Sequence, residues 1–156
     1  MSDSQRDDRR TSNTLRGFLT GEPTNEELYF AYSATLRIFG KIPSIEQLTV
    51  ELGLEPTSYH RTGERRGPKS PPYEHDMWSF SPSLPENRPL SEHIDSLWQS
   101  IKPKATYLKH LKHTLTVDVF LGYRSNCDHA GIEVPHTCLE MFTELEIPFG
   151  LSVIIA

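Results

Sequence analysis

Two stretches of this sequence alternate between apolar and polar residues at every second position. Such alternation predicts a β-strand with one buried and one solvated face. The first stretch runs from Tyr29 to Phe39, and the second from Leu115 to Leu121. In the first stretch one face is polar, with Ser33, Thr35 and Arg37, and the other is apolar, with Tyr32, Ala34, Leu36 and Ile38. A strand of this kind has to cover its apolar face with another layer.

Several segments supply that layer, because their apolar residues recur at helical spacing. One helix is predicted from Ser44, where a capping box forms with Gln47, to Gly53, a left-handed residue that ends the helix. The second helix places its apolar residues at i, i+3, i+4 and i+7, namely Ile94, Leu97, Trp98 and Ile101. A short helical turn follows Pro103. A third helix is predicted near Pro135, with Leu139, Phe142 and Leu145 directed inward.

Three further strands complete the expected fold. Asp76–Ser81 is one, with Trp78 and Phe80 on the same face, and Ile132–Val134 is a short one. A terminal strand carries Leu151, Val153 and Ile155. The order of strands and helices predicts an α+β fold: a two-layer sandwich, ferredoxin-like or related, with an antiparallel or mixed sheet and helices packed on one face.

The composition and charge of the sequence indicate how many domains it forms and which partners it can bind. Residues 1–25 hold few large apolar groups and are expected to form a disordered N-terminal tail, and residues 26–156 to form a single domain. A net charge of -5 argues against general binding to nucleic acid or acidic membranes. The sequence has no apolar run long enough to span a bilayer and no apolar segment after its charged start, so we expect a cytoplasmic protein. Its two cysteines, Cys127 and Cys138, are expected to be reduced thiols, and a disulfide between them is the alternative.

Five segments carry a resemblance to a known family. They are Leu36-Arg37-Ile38-Phe39-Gly40, Leu52-Gly53-Leu54-Glu55-Pro56, Thr62-Gly63-Glu64, Trp78-Ser79 and His93-Ile94-Asp95-Ser96-Leu97. Together they resemble the bacterial family called domain of unknown function 4279, over roughly Tyr32 to Ile155. The resemblance implies a shared fold and no activity, cofactor or catalytic residue. This sequence differs from a compact form of the pattern by an insertion-like stretch, Arg65 to Tyr73.

The connection between Gly53 and Trp78 is long for a loop between a helix and a strand. Its arginines can bind a phosphate or carboxylate through paired hydrogen bonds, and its glycines let backbone N–H groups approach an anion. A solvated turn with an internal ion pair at Glu64 is the competing interpretation. Trp78 is either a core residue or a stacking surface. The candidate binding residues are His60, Arg61, Gly63, Glu64, Arg65, Arg66 and Trp78, with Lys69 nearby.

A second cluster contains the side chains that zinc prefers. Cys127, His129, His136 and Cys138 offer two thiolates and two imidazoles, but one residue separates the members of each pair, whereas zinc knuckles use two to four. A buried thiol at Cys138 and a surface His129 are the alternative, so no metal or other cofactor is expected.

The function expected from these observations is that of a small protein-binding module, of an inhibitor or immunity type, whose partner is a basic protein. It would use the exposed face of the sheet or the loop from Tyr59 to Tyr73. The alternative is an enzyme or sensor that binds an anionic small molecule through Arg61, Arg65 and Arg66. No catalytic residue is assigned, because the sequence has no recognised nucleophile or metalloprotease motif.

Overall fold

A computed structural model describes residues 27–127 and 131–156 of the chain. Its strands are β1 (Phe30–Gly40), β2 (Ser58–His60), β3 (Asp76–Phe80), β4 (Thr116–Ser125) and β5 (Leu151–Ile155). Its α-helices are α1 (Ile45–Leu52), α2 (Leu90–Ile101), α3 (Ala105–Leu111) and α4 (Glu140–Leu145). Short 3₁₀ turns precede α3 at Lys102–Lys104 and α4 at His136–Leu139. None of the described helices has the length and apolar character needed to cross a membrane.

The five strands form one mixed sheet in the order β2-β3-β1-β4-β5. β1 lies at the centre and pairs antiparallel with β3 on one side and with β4 on the other. β2 pairs antiparallel with β3 at one edge, whereas β5 pairs parallel with β4 at the opposite edge. The sheet is therefore mixed, which was one of the two arrangements that the sequence left open.

Alternation along the central strands determines which face is buried. Ala34, Leu36 and Ile38 of β1 are buried, and the paired positions of β3 and β4 carry Trp78 and Val119 on the same face. Apolar residues of all four helices join these strand residues in one core cluster. The predicted α+β sandwich with helices on one face is confirmed, and Trp78 and Phe80 share a face as expected.

The first helix begins and ends where its sequence predicts. The Ser44 hydroxyl accepts a hydrogen bond from the Gln47 backbone N–H at 3.1 Å, which satisfies one of the free donors at the helix start. Gly53 adopts φ 68° and donates its N–H to the carbonyls of Thr49 and Val50. Glycine adopts this left-handed conformation without steric cost, so the helix can end sharply here.

The structure differs from the sequence predictions at three places. Residues 132–134 form no strand, and the edge strand β2 was not foreseen. Leu139 was expected to face inward but is exposed, because it lies in the 3₁₀ turn before α4. β5 forms as predicted, but Val153 and Ile155 are about half exposed because β5 is an edge strand. The predicted tail, 1–25, lies outside the described residues.

Candidate functional site

The Arg61–His75 loop connects β2 to β3 and is folded as a small hairpin of its own. Gly63 donates its N–H to the Tyr73 carbonyl at 2.9 Å, and Tyr73 donates back to the Glu64 carbonyl at 2.8 Å. A further bridge joins Arg65 to Pro72. Gly63 has φ 87°, so the first turn of this hairpin requires a residue without a side chain. The loop is therefore an ordered part of the structure that returns to the sheet beside the point it left.

Asp76 anchors this loop to the body of the domain. Its carboxylate accepts hydrogen bonds from the backbone N–H of Ile42 at 2.9 Å and from the N–H and hydroxyl of Thr62 at 2.8 and 3.0 Å. The Arg61 guanidinium donates to the same carboxylate at 3.3 Å and to the Ile42 carbonyl at 2.8 Å. These interactions lower the pKa of Asp76 below its ordinary value, and the hydrogen bond from the Thr62 N–H has the largest effect. Asp76 therefore fixes the start of the loop through a charged acceptor.

Two of the predicted site residues serve the loop itself. The Glu64 carboxylate accepts the Arg61 backbone N–H at 2.8 Å, and the Arg65 guanidinium donates to the Ser70 carbonyl at 2.8 Å. With Arg61 bound to Asp76, each of these side chains makes a hydrogen bond within the loop or to its anchor. Trp78 is fully buried in the core, and its indole N–H donates to the Thr49 hydroxyl at 3.0 Å.

The loop folds over the open face of the sheet, which is the face without helices. Between the loop and the strands lies a pocket of about 590 Å³, within the usual range for small-molecule sites. His60 and Arg66 are the predicted site residues that line it. The other lining residues are Arg37, Phe39 and Met77 of the open face and Ser70, Pro71, Pro72, Tyr73, Glu74 and His75 of the loop.

One wall of the pocket is a stacked pair of rings. His60 at the end of β2 lies on Tyr73, with ring centroids 3.6 Å apart and planes inclined by 10°. The His75 and Phe39 rings approach to 6.5 Å on the side of the open face. These ring contacts hold the returning arm of the loop against β1 and β2, so the pocket has an ordered aromatic lining.

Arg37 forms part of the floor and is held on three sides. Its Nε and Nη2 donate to the two carboxylate oxygens of Asp118 on β4 at 2.8 and 2.6 Å. Its guanidinium carbon lies 5.1 Å from the Phe120 ring centre and 5.9 Å from that of Phe39, distances typical of cation–π contact. The hydrogen bond that Arg37 donates to Asp118 is the largest cause that raises the pKa of Arg37, and Nη1 donates to no described residue.

Arg66 supplies the second cation of the pocket. Its side chain is exposed and makes no hydrogen bond or ion pair with any other described residue. Glu74 contributes a carboxylate to the same pocket. The arrangement offers two guanidinium groups, one carboxylate and an apolar lining to whatever enters.

The sequence predicted binding at the exposed face of the sheet or at the loop, but it did not single out the sheet residues Arg37 and Phe39 that line this pocket. Arg37 and Phe39 lie on the polar face of β1, where exposed side chains are usually hydrated. The signal was the opposite charge of Arg37 and Asp118 on two strands, together with aromatic Phe39 and Phe120 at alternating positions of those strands. It becomes informative only when the register of β1 and β4 is known.

The cluster with potential zinc ligands is not assembled within the described part of the chain. His129 lies outside the described residues, and His136 is exposed. Residues 27–127 and 131–156 contain no group of three or more potential metal ligands. The Cys138 thiol faces Asp95, with Sγ 3.3 Å from Oδ1. Burial first, and then the hydrogen bond to Asp95, raise the pKa of Cys138 to about 11, which disfavours the thiolate that a metal needs.

Comparison with known proteins gives one match. A family model described as "Domain of unknown function (DUF4279)" matches residues 29–155. No curated protein and no solved structure matches the chain.

Proposed function

The chain belongs to the DUF4279 family, and from the pocket on its open face we propose that the domain binds a small ligand with a carboxylate or phosphate group next to an apolar portion. One observation carries this proposal. Arg66 and Arg37 line the same pocket. Arg66 has no ion pair among the described residues, and Arg37 has N–H groups that Asp118 does not use.

The two guanidinium groups support binding of an anion in different ways. Arg37 is fixed by Asp118 and by the ring of Phe120, so little conformational freedom is lost when its remaining N–H groups bind an oxygen. Arg66 is exposed and able to move toward the ligand. A carboxylate or phosphate between them would accept hydrogen bonds from planar donors, which is the arrangement in which arginine binds these groups well.

The remaining lining supports an apolar portion beside the anionic group. Phe39 and Met77 rise from the strands, and Pro71 and Pro72 face them from the loop. Glu74 adds a place for a cationic group, so a zwitterionic ligand such as an amino acid would find a partner for each charge. Amino acids and phosphorylated or carboxylated aromatic molecules are therefore the first ligands to try.

Thermal-shift screening against such compounds tests the proposal. A ligand at 100 times its dissociation constant adds about 2.7 kcal/mol to the free energy of unfolding. Arg66→Gln should reduce that shift strongly, because it removes a cation of the pocket. The matched control is Arg65→Gln, which changes a neighbouring arginine whose guanidinium binds the Ser70 carbonyl instead. Equal shifts in both variants and the wild type would mean that the pocket is not the binding site.

A second candidate function is the binding of another protein, of an inhibitor or immunity type. The observation in its favour is that the pocket opens on a sheet face without helices, which a protruding segment of a partner can reach. The net charge of -5 would suit a basic partner. Affinity capture from the native host at moderate salt tests this candidate, and the absence of any stoichiometric protein partner would contradict it.

A cytoplasmic location is part of the same proposal. Cys138 is a buried free thiol. A reduced cysteine is the norm in the cytoplasm, which supports this location. Fractionation of cells that express the tagged chain tests it.

A further inference from the structure

β5 is an edge strand with an unusual composition for that position. Its sequence, Leu151 to Ile155, contains four apolar residues, one serine and no charge. Val153, Ile154 and Ile155 are 53%, 56% and 48% exposed. Edge strands of soluble proteins are usually protected by lysine, proline, a bulge or short length, because their free N–H and C=O groups can pair with another strand. β5 has none of these protections.

The opposite edge of the sheet shows the contrast. β2 has only three residues, Ser58–His60, and the hairpin loop follows it immediately. Its first residue Ser58 and the preceding Thr57 already bond to Ser79 of β3. β2 therefore offers little backbone to a further strand, and among the described strands the free pairing capacity of the sheet is concentrated at β5.

The pairing of β5 with β4 determines which of its backbone groups are unused. Ala156 donates its N–H to the Ser125 carbonyl at 3.0 Å, so even-numbered residues of this segment point toward β4. Because successive residues of a strand point to opposite sides, the N–H and C=O groups of Leu151, Val153 and Ile155 point away from the sheet.

We propose that β5 pairs antiparallel with β5 of a second copy of this chain, about a two-fold axis at Val153, and so joins two sheets into one. In this register Val153 lies opposite Val153 of the other copy, and Leu151 lies opposite Ile155. The outward groups of these residues then form about six hydrogen bonds. The arrangement is self-complementary, because the two-fold axis gives both strands the same set of hydrogen bonds.

The side chains agree with this register. The residues that share a face with the helices, Leu151, Val153 and Ile155, meet only one another, so apolar groups contact apolar groups. On the open face Ser152 meets Ile154. No charge lies opposite a like charge, which removes the usual electrostatic obstacle to pairing identical strands. Five residues on each side make a small interface, so the dimer is expected to dissociate on dilution.

Sedimentation velocity of the full chain from low micromolar to near-millimolar concentration tests the proposal. We expect a reversible monomer–dimer equilibrium. Val153→Glu should weaken the dimer by about tenfold or more, because it places two carboxylates opposite each other at the axis. The matched control is Ile154→Glu, whose new carboxylate lies beside Arg124 and opposite Ser152 and should leave dimerisation nearly unchanged. A chain that stays monomeric throughout, or a dimer that tolerates Val153→Glu, would overturn the proposal.

Amide hydrogen exchange distinguishes the possible occupants of this edge. Self-pairing predicts that exchange at Val153 and Ile155 slows as the protein concentration rises, and that Val153→Glu abolishes the dependence. Protection that is independent of concentration would show that another part of the same chain covers β5, which contradicts the proposal. Exchange that slows only when another protein is added would contradict it as well. The measurement concerns β5 alone, so its outcome is independent of ligand binding at the pocket.

Discussion

Arg37 on β1 and Asp118 on β4 face each other on the open side of the sheet, joined by two parallel hydrogen bonds of 2.8 and 2.6 Å. Both side chains are partly exposed, at 34% and 26%. The paired geometry favours a net stabilisation, although solvent screens the charges. The same contact presents the remaining donors of Arg37 to the pocket, so it links the sheet to the proposed binding site.

The interaction energy of this pair can be measured with a double-mutant cycle. We expect Arg37→Gln and Asp118→Asn to show a coupling of about 1 kcal/mol in urea denaturation, near the upper end for partly exposed pairs. The pair Arg88 and Glu92, four residues apart at the start of α2, serves as comparison and should give a smaller coupling of about 0.2–0.5 kcal/mol, because both side chains are more exposed. A coupling for Arg37 and Asp118 no larger than that of the comparison pair would contradict the prediction.

Replacing the anchor of the loop should loosen the loop more than the core. Asp76→Asn keeps the size of the side chain but removes the charge that accepts hydrogen bonds from Ile42, Thr62 and Arg61. We expect a loss of about 2 kcal/mol in the free energy of unfolding, since hydrogen bonds to charged groups are worth more than neutral ones. Limited proteolysis should cut the Arg61–His75 loop faster in this variant. Unchanged cutting would show that Asp76 is not what holds the loop.

Asp76 also predicts a dependence of stability on pH. Its pKa is lower in the folded protein than the ordinary value of 3.8, first because of the hydrogen bond from Thr62. A carboxyl with a depressed pKa stabilises the fold fully above its unfolded pKa of about 4, and this contribution is lost as the pH falls through the folded pKa.

Urea denaturation of the wild type and Asp76→Asn between neutral pH and pH 3 checks this prediction. The difference in stability between the two proteins should be constant down to about pH 4.5 and should shrink below it. Glu46, Glu92 and Glu140 also have lowered pKa values, but they are present in both proteins and cancel in the difference. A difference that stays constant to pH 3 would contradict the assignment.

Cys138 should resist modification in the folded protein. Its thiol is buried and its pKa is raised to about 11, so very little thiolate exists at pH 8. We expect iodoacetamide to label Cys138 slowly in native protein and rapidly in urea, as measured by peptide mass spectrometry. Cys138→Ser identifies the signal of this residue. Rapid labelling without denaturant would show that the residue is accessible as a thiolate.

The layers of the fold could be predicted from sequence because each element carries its own periodicity. β1 and β4 alternate over long stretches, and the caps Ser44 and Gly53 mark the limits of α1. β2 could not be predicted in the same way, because a strand of three residues is too short to show a period. Its existence depends on pairing with β3, which is a tertiary interaction.

The candidate site could be predicted only in part. His60 and Arg66 line the pocket, whereas Arg61 and Arg65 use their guanidinium groups within the loop and its anchor. Nothing in the local sequence distinguishes these arginines. The distinction arises from Asp76, which lies 14 residues beyond Thr62 and approaches it only after the loop has closed.

The central position of β1 governs the order in which this domain can assemble. Tyr29, just before β1, accepts a hydrogen bond from Ser125, 96 residues later in the chain. During synthesis β1 therefore leaves the ribosome long before β4 is available beside it. In that interval its apolar side is a target for chaperones and for other nascent chains, because native contacts this distant in sequence form slowly.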